Sequence, residues 1–271
     1  MKRAEAMYRK LPKKWIINLI FAAVLAILVI YSFQGSHINP IRLRQLPFVI
    51  RSFFRGFGNI LWPAFFGFGG YDFDESIVYL ALETLAIGFF GTLLGAILAI
   101  PFGFLAARNI VGKHVAKIGS VLLIIIRVFP EIILAIILVK GLGSGAFTGI
   151  LVIGLHSVGM LGKLFAEAID EMDNSSLEAL DAVGANGWQK IRYGIIPQMA
   201  PLMSSITLYR LDINVRSATI LGVVGAGGLG ALLTIFSDPP AWPLLATILL
   251  AIIVMVLLVD GVSSYLRNKL V

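Results

Sequence analysis

The chain of 271 residues contains no cysteine and few charged side chains. Without cysteine, neither a disulfide scaffold nor a thiolate metal site is possible. Only 14% of the residues are Asp, Glu, Lys or Arg, whereas 58% are hydrophobic. A soluble domain of this length needs far more charged surface, so the composition indicates a membrane protein.

Apolar runs of about twenty residues, the length that crosses a bilayer as a helix, recur along the chain. They lack the period-two alternation of barrel strands, and lipid permits only helices and closed barrels to span. The runs therefore predict an all-α polytopic membrane protein. Six spans are predicted, at Trp15–Tyr31, Ile77–Ala107, Ile118–Val139, Phe147–Leu164, Pro201–Val224 and Trp242–Val259.

These spans predict three regions. Residues 1–76 hold a first membrane helix and an extracytoplasmic or interfacial segment, 77–262 form the transmembrane domain, and 263–271 form a cytoplasmic tail. The basic start and first apolar run also resemble a signal peptide, but the run is long and no cleavage pattern clearly follows, so we expect it to be retained.

The basic residues are distributed unevenly around the predicted spans. Fourteen Lys and Arg fall in segments 1–14, 108–117, 163–200 and 263–271, and four fall in the segments on the other side. This positive-inside pattern predicts that both termini are cytoplasmic. It also accounts for the net charge of +7 without nucleic acid.

Residues 34–76 carry those four arginines on the predicted outer side. Arginines alternate there with phenylalanines, as in Arg44, Phe48, Arg51, Phe54 and Arg55. Such a mixture suits a helix lying in the membrane interface. An ordinary solvated loop is the alternative, and both remain open.

Small residues recur at one spacing in the second predicted span: Gly88, Gly91, Gly95, Ala99 and Gly103. From Gly91 onward they are four apart and share one helix face. A stripe of this kind lets helix backbones approach closely in lipid, so it predicts packing rather than chemistry.

A polar, partly acidic segment follows the fourth span. Ser175 and Glu178 have the spacing of a capping box that starts a short helix, and Gly184 can end it. A second helical piece, around Gly187–Tyr193, leads to Pro197, a residue that starts or breaks helices.

This segment resembles the loop by which binding-protein-dependent ABC-importer permeases contact their ATPase. The family signature reads Glu-Ala-Ala, three residues, Gly, nine residues, Ile, one residue, Leu-Pro. The matching positions are Glu178, Ala179, Gly184 and Pro197. The departures are Leu180 for the second Ala, Gly194 for Ile and Ile196 for Leu.

The resemblance extends to most of residues 77–262 and narrows to the phosphonate-importer permeases, with their phosphite and hypophosphite relatives. It rests on Arg127–Glu131, Gly184–Gly187, Tyr193–Gln198 and Tyr209–Thr219, which runs on into Gly225–Gly230. The most specific part is Asn214–Gly230. The N-terminal 76 residues contribute little to it.

The resemblance implies a type I importer permease in a bacterial cytoplasmic membrane that is not itself an enzyme. Two copies would pair around a central pathway, each contacting a separate ATPase through Glu178–Gly184, and a binding protein would deliver substrate. ATP and Mg²⁺ would then bind the partner ATPases, and this chain would hold no cofactor or metal. Alternatives left open are a permease for amino acids or quaternary amines, an ion-coupled secondary transporter, and an intramembrane enzyme.

Charged residues also lie inside the predicted spans, where they are costly and face the bundle interior or water. Two oppositely charged pairs have the i, i+4 spacing: Arg127 with Glu131, and Asp212 with Arg216. Arg210 is likewise four residues before Asn214. Two hypotheses follow: the arginines, partly neutralised, form an oxyanion pathway, or the pairs lock helices together.

Two further features have structural and functional alternatives. His156 could relay protons, but a lone membrane histidine more often bonds between helices. Gly225–Gly230 reads G-x-G-x-x-G without the strand–helix context of a dinucleotide site. We expect an extracellular turn or a close backbone approach there instead.

Overall fold

The computed structural model describes residues 14–35, 40–67, 76–237 and 240–270. Within these ranges the regular structure is helical apart from one isolated bridge between Ser237 and Pro240, which confirms the all-α prediction. The helices are α1 (Lys14–Gly35), α2 (Pro40–Phe57), α3 (Trp62–Phe66), α4 (Ile77–Ala106), α5 (Arg108–Val128), α6 (Glu131–Leu142), α7 (Ala146–Asp170), α8 (Ser175–Ala182), α9 (Gly187–Gln189), a π-helical segment (Lys190–Ile195), α10 (Ile196–Gly222), α11 (Leu229–Ile235) and α12 (Trp242–Leu270).

The chain divides into two compact units, residues 1–52 and 53–271. In the first unit, the side chains of residues 15–32 on α1 are exposed within the chain, so their apolar surface needs lipid or another subunit. Helix α2 favours the helical alternative for residues 34–76, although 36–39 and 68–75 lie outside the described residues. Its place in the membrane interface, and the three predicted regions, stay predictions.

Among the described residues, five helices are long and apolar enough to cross a membrane: residues 15–32 of α1, and α4, α5, α7 and α12. Helix α10 covers the remaining predicted span and has 27 residues, about 40 Å at 1.5 Å per residue. It is less apolar because Arg210, Asp212 and Arg216 lie in its central turns.

The prediction of one continuous span at Ile118–Val139 is wrong. Helix α5 ends at Val128 and α6 begins at Glu131, with extended backbone at Phe129 (ψ 120°) and Pro130 (ψ 133°) between them. Proline lacks an amide hydrogen and disfavours helical backbone in the residue before it. These two effects break the helix completely between Val128 and Glu131.

Helices α4 and α7 pack together along the small-residue stripe. A Cβ on Gly91 would lie 2.7 Å from Cγ2 of Ile153, one on Gly95 2.7 Å from Cβ of Ser157, and one on Gly103 2.9 Å from Cβ of Phe165. These spaces are too small for a side chain. The predicted packing role of the stripe is confirmed.

Candidate functional site

A buried polar cluster joins the central turns of α4, α7 and α10. The side-chain amide of Asn214 donates to Thr92 Oγ1 at 2.8 Å and to Ser157 Oγ at 2.9 Å. All three residues are buried. Hydrogen bonds between helices hold them together in lipid, so this cluster fixes the register of the three helices.

Arg210 extends the cluster and is only 5% exposed. Its Nε donates to Ser157 Oγ at 3.3 Å and its Nη1 to Met160 Sδ at 3.1 Å, and Nη2 lies 3.5 Å from His156 Nδ1. Arg210 and Asn214 are therefore joined through Ser157. The contact of His156 on α7 with Arg210 on α10 is of the interhelical kind predicted for that histidine.

Glu131 occupies the first turn of α6, immediately after the helix break. Its Oε2 accepts a hydrogen bond from Ser217 Oγ at 3.1 Å, and its Oε1 is buried without a hydrogen-bond partner. The predicted Arg127–Glu131 pair on one helix face is wrong, because the break places the two residues on different helices. Arg127 is exposed.

The predicted pairing of Asp212 with Arg216 is confirmed, as Arg216 Nη2 contacts Asp212 Oδ2 one helical turn away. The Asp212 side chain is only 9% exposed and that of Arg216 is 53% exposed. The second carboxylate oxygen of Asp212 is buried without a partner. The ion pair therefore joins a buried carboxylate to an exposed guanidinium.

The five predicted pathway residues thus differ in exposure. Arg210 and Asp212 are buried, whereas Arg127 and Arg216 are exposed and Glu131 is half-buried. An arginine that faces lipid near the bilayer centre costs at least about 2.5 kcal/mol. The exposed surfaces at Arg127 and at Arg216 consequently suit water or another protein surface.

The neutral partners of these charges were not predicted from the sequence. They are the hydroxyl groups of Thr92, Ser157 and Ser217 and the thioether of Met160. A search restricted to ionisable residues cannot find hydroxyl groups. A usable signal was present, because Ser217 directly follows Arg216 and Thr92 follows Gly91 in the small-residue stripe.

The segment between α7 and α10 begins with α8, and its predicted capping box is wrong. Asn174 precedes the helix without a side-chain cap. The Asp173 carboxylate instead accepts from the Ser175 backbone N–H at 3.0 Å and from its hydroxyl at 2.7 Å, and these bonds lower the pKa of Asp173. A capping box is present at Asn186 and Gln189, at the start of α9.

The other turn predictions for this segment are confirmed. Gly184 follows α8 with a φ of +74°, the left-handed conformation that favours glycine. The second helical piece comprises α9 and the π-helical segment, and Pro197 lies in the first turn of α10. An ion pair between Lys190 and Asp181 links the two pieces.

Two departures from the signature compensate each other. A Cβ on Gly194 would lie 3.0 Å from Leu180 Cδ1. The larger Leu180, in place of alanine, therefore occupies the space that an isoleucine at position 194 would need. Volume-conserving exchanges of this kind are tolerated in packed sites.

Exposed groups cover the segment. Val183, Trp188 and Tyr193 are 79%, 68% and 64% exposed, and Glu178 and Ala179 are exposed beside them. Large apolar side chains grouped on a polar surface mark a site of protein contact.

The glycine-rich turn between α10 and α11 is a close backbone approach, as expected. Gly225, Gly227 and Gly228 have φ of +97°, +87° and +71°. A Cβ on Gly222 would lie 2.5 Å from the carbonyl oxygen of Gly227. Helices flank the turn on both sides, so the context is not that of a dinucleotide fingerprint.

Residues 99–271 match the family described as binding-protein-dependent transport system inner membrane component. The phosphite transport system permease protein PtxC of Stutzerimonas stutzeri is 40% identical over 203 residues, which cover 74% of this chain and 72% of that protein. The phosphate-import permease protein PhnE of Mycolicibacterium smegmatis is 38% identical over 193 residues, which cover 70% of this chain but only 36% of that protein.

Among solved structures, the inward-facing MetNI methionine ABC transporter contains a similar chain. The two superpose with a TM-score of 0.64 at 23% identity, covering 72% of this chain and 96% of that chain. At this identity the likeness establishes the fold.

Proposed function

Because the chain belongs to the family of binding-protein-dependent transport system inner membrane components, we propose that it is the permease of an ABC importer for phosphonate or a related phosphorus oxyanion. The observation that carries the substrate class is the likeness to permeases named for phosphite and for phosphate. Both are tetrahedral phosphorus oxyanions.

In the proposed assembly, two copies of this multi-pass chain pair in the bacterial cytoplasmic membrane, with both termini in the cytoplasm. Two ATPase subunits dock from the cytoplasm, and an extracytoplasmic binding protein delivers the substrate. ATP and Mg²⁺ are bound by the ATPases, while this chain binds no cofactor and catalyses no reaction.

The oxyanion would pass along the face that carries Arg127 and Arg216. A planar guanidinium donates paired hydrogen bonds to phosphonate oxygens, but unopposed arginines would hold the anion too long. Glu131 and the buried Asp212 supply opposing charge and speed release. Arg210, whose donors are occupied by groups of α7, supports this face from behind.

The cytoplasmic segment would transmit the closure of the ATPases to the spans. Glu178, Ala179 and Gly184 lie on or beside α8, and Pro197 starts α10, which carries Arg216. A rigid displacement of α8 would therefore reach the pathway through the first turns of α10, giving alternating access.

Gly184→Ala is expected to uncouple ATP hydrolysis from transport. Its φ of +74° costs an L-residue about 1–2 kcal/mol, so the substitution shifts the end of α8 against the ATPase. We expect transport per ATP hydrolysed, measured in proteoliposomes, to fall roughly tenfold while hydrolysis persists. Glu178→Ala removes an exposed carboxylate from the proposed contact with the ATPase and should likewise lower transport per ATP hydrolysed.

Gly187→Ala is the matched control for Gly184→Ala. Gly187 lies in the same segment, a Cβ there meets nothing within 4 Å, and its φ is not positive. It should transport like the wild type. Full coupling in both the Gly184 and Glu178 variants would remove this role from the segment.

The substrate class is tested by uptake of a labelled aminoalkylphosphonate in cells with and without the chain. Phosphite, phosphate, glycine betaine and methionine serve as competitors. We expect deletion to abolish uptake and only the phosphorus oxyanions to compete. Unchanged phosphonate uptake after deletion would remove the substrate assignment and favour an importer of amino acids or quaternary amines.

A further inference from the structure

Glu131 adjoins the segments that carry the two exposed arginines. It follows Arg127 across the Phe129–Pro130 break, and its carboxylate accepts from Ser217, the residue next to Arg216. Glu131 also interacts electrostatically with Arg210 on α10 and with His156 on α7. A carboxylate in this position repels every anion that carries no hydrogen-bond donor.

The carboxylate also has unused capacity to accept hydrogen bonds. Ser217 satisfies Oε2, whereas Oε1 is buried without a partner, and an ionised carboxylate can accept about four bonds. Glu131 is half-buried and its terminal torsion is broad. The side chain is therefore partly accessible, and rotation about this torsion reorients its free acceptor positions.

We infer that Glu131 selects the protonated monoanion of the substrate by accepting a hydrogen bond from its P–OH group. The arginines bind the ionised oxygens of the same molecule. Phosphite, phosphate and phosphonates all carry a P–OH group at intermediate protonation, whereas sulfate and the dianions of phosphite and of phosphonates carry none. This inference rests on the proposed function and assigns a specificity role within it.

The test uses the complete transporter, with its ATPase and saturated binding protein, in proteoliposomes. Uptake of methylphosphonate is measured from about pH 6 to about pH 8, a range in which a phosphoryl group loses its second proton. Wild-type uptake should fall as the pH rises. Glu131→Gln keeps the size and the bond to Ser217 but offers a donor, so its uptake relative to wild type should rise roughly tenfold across this range.

Four controls separate the alternatives. Glu131→Asp should keep the pH dependence at a lower rate, and His156→Gln should keep it because the histidine is not the titrating group. Wild-type uptake of phosphite should fall at a different pH from that of methylphosphonate, following the ionisation of each substrate. Glu83→Gln, near the start of α4, removes a carboxylate elsewhere in the chain and is the matched control for Glu131→Gln.

A constant ratio of Glu131→Gln to wild-type uptake would overturn the inference, as would one common midpoint for both substrates. These outcomes leave the proposed function in place. A wild-type complex that carries no phosphorus oxyanion at any pH would instead remove the proposed function itself.

Discussion

Gly230→Ala is expected to prevent assembly of the protein. A Cβ on Gly230 would overlap the carbonyl oxygen of Thr219 and would lie 2.8 Å from Cα of Gly222 and 2.9 Å from the backbone N of Val223. All three are backbone atoms at the C-terminal end of α10 or directly after it, so no side-chain rotation relieves the overlap. We expect destabilisation at or above the roughly 3 kcal/mol upper end of common overpacking costs.

The destabilisation of Gly230→Ala should give a low yield of folded transporter after detergent extraction. The transporter that is recovered should have a lowered Tm. Gly261→Ala is the matched control: Gly261 lies on α12, and a Cβ there meets nothing within 4 Å. Alanine is favoured over glycine inside a helix by about 0.5–1 kcal/mol, so this variant should be as stable as wild type or slightly more so. Normal yield and Tm of Gly230→Ala would contradict the packing argument.

The same glycines show which parts of the fold could be predicted from the sequence. Gly91, Gly95 and Gly103 share a helix face by their spacing alone, so close contact with another helix was predictable, whereas the identity of that helix as α7 was not. The contact of Gly230 with Thr219 depends on how two helices meet across a turn. The periodicity of residues along one helix carries no information about how that helix packs against the next.

The helix break at Pro130 was missed for a related reason. The apolar run from Ile118 to Val139 is continuous in composition, and proline inside a membrane helix is often tolerated because neighbouring groups satisfy the freed carbonyls. Composition thus favoured one span. The break decides where Glu131 lies, and this is why the predicted Arg127–Glu131 pair failed while the pair of Asp212 with Arg216 on a continuous helix was right.

The exposure of the charged side chains could likewise not be predicted from the sequence. Arg210 and Arg216 are six residues apart on α10, and both were candidates for the pathway. The structure makes Arg210 5% exposed and leaves the Arg216 side chain 53% exposed. Substitutions at the two positions should therefore have different consequences.

Arg216→Gln is expected to abolish uptake while the transporter still assembles. The exposed guanidinium is the group that would bind the oxyanion, and glutamine cannot supply its charge or paired donors. We expect initial uptake rates at least about tenfold lower, with normal amounts of complex and normal basal ATP hydrolysis. Arg55→Gln, an exposed arginine on α2, is the matched control and should transport normally.

A structural role for Arg216 would give a different result, because its loss leaves the buried Asp212 without a partner. Removing one member of a buried ion pair costs about 3–5 kcal/mol, less here since Arg216 is half exposed to solvent. The double variant Asp212→Asn with Arg216→Gln removes both charges and so restores any lost stability. If the arginine acts only through Asp212, the double variant recovers uptake. If Arg216 lies on the pathway, the double variant assembles normally and still fails to transport.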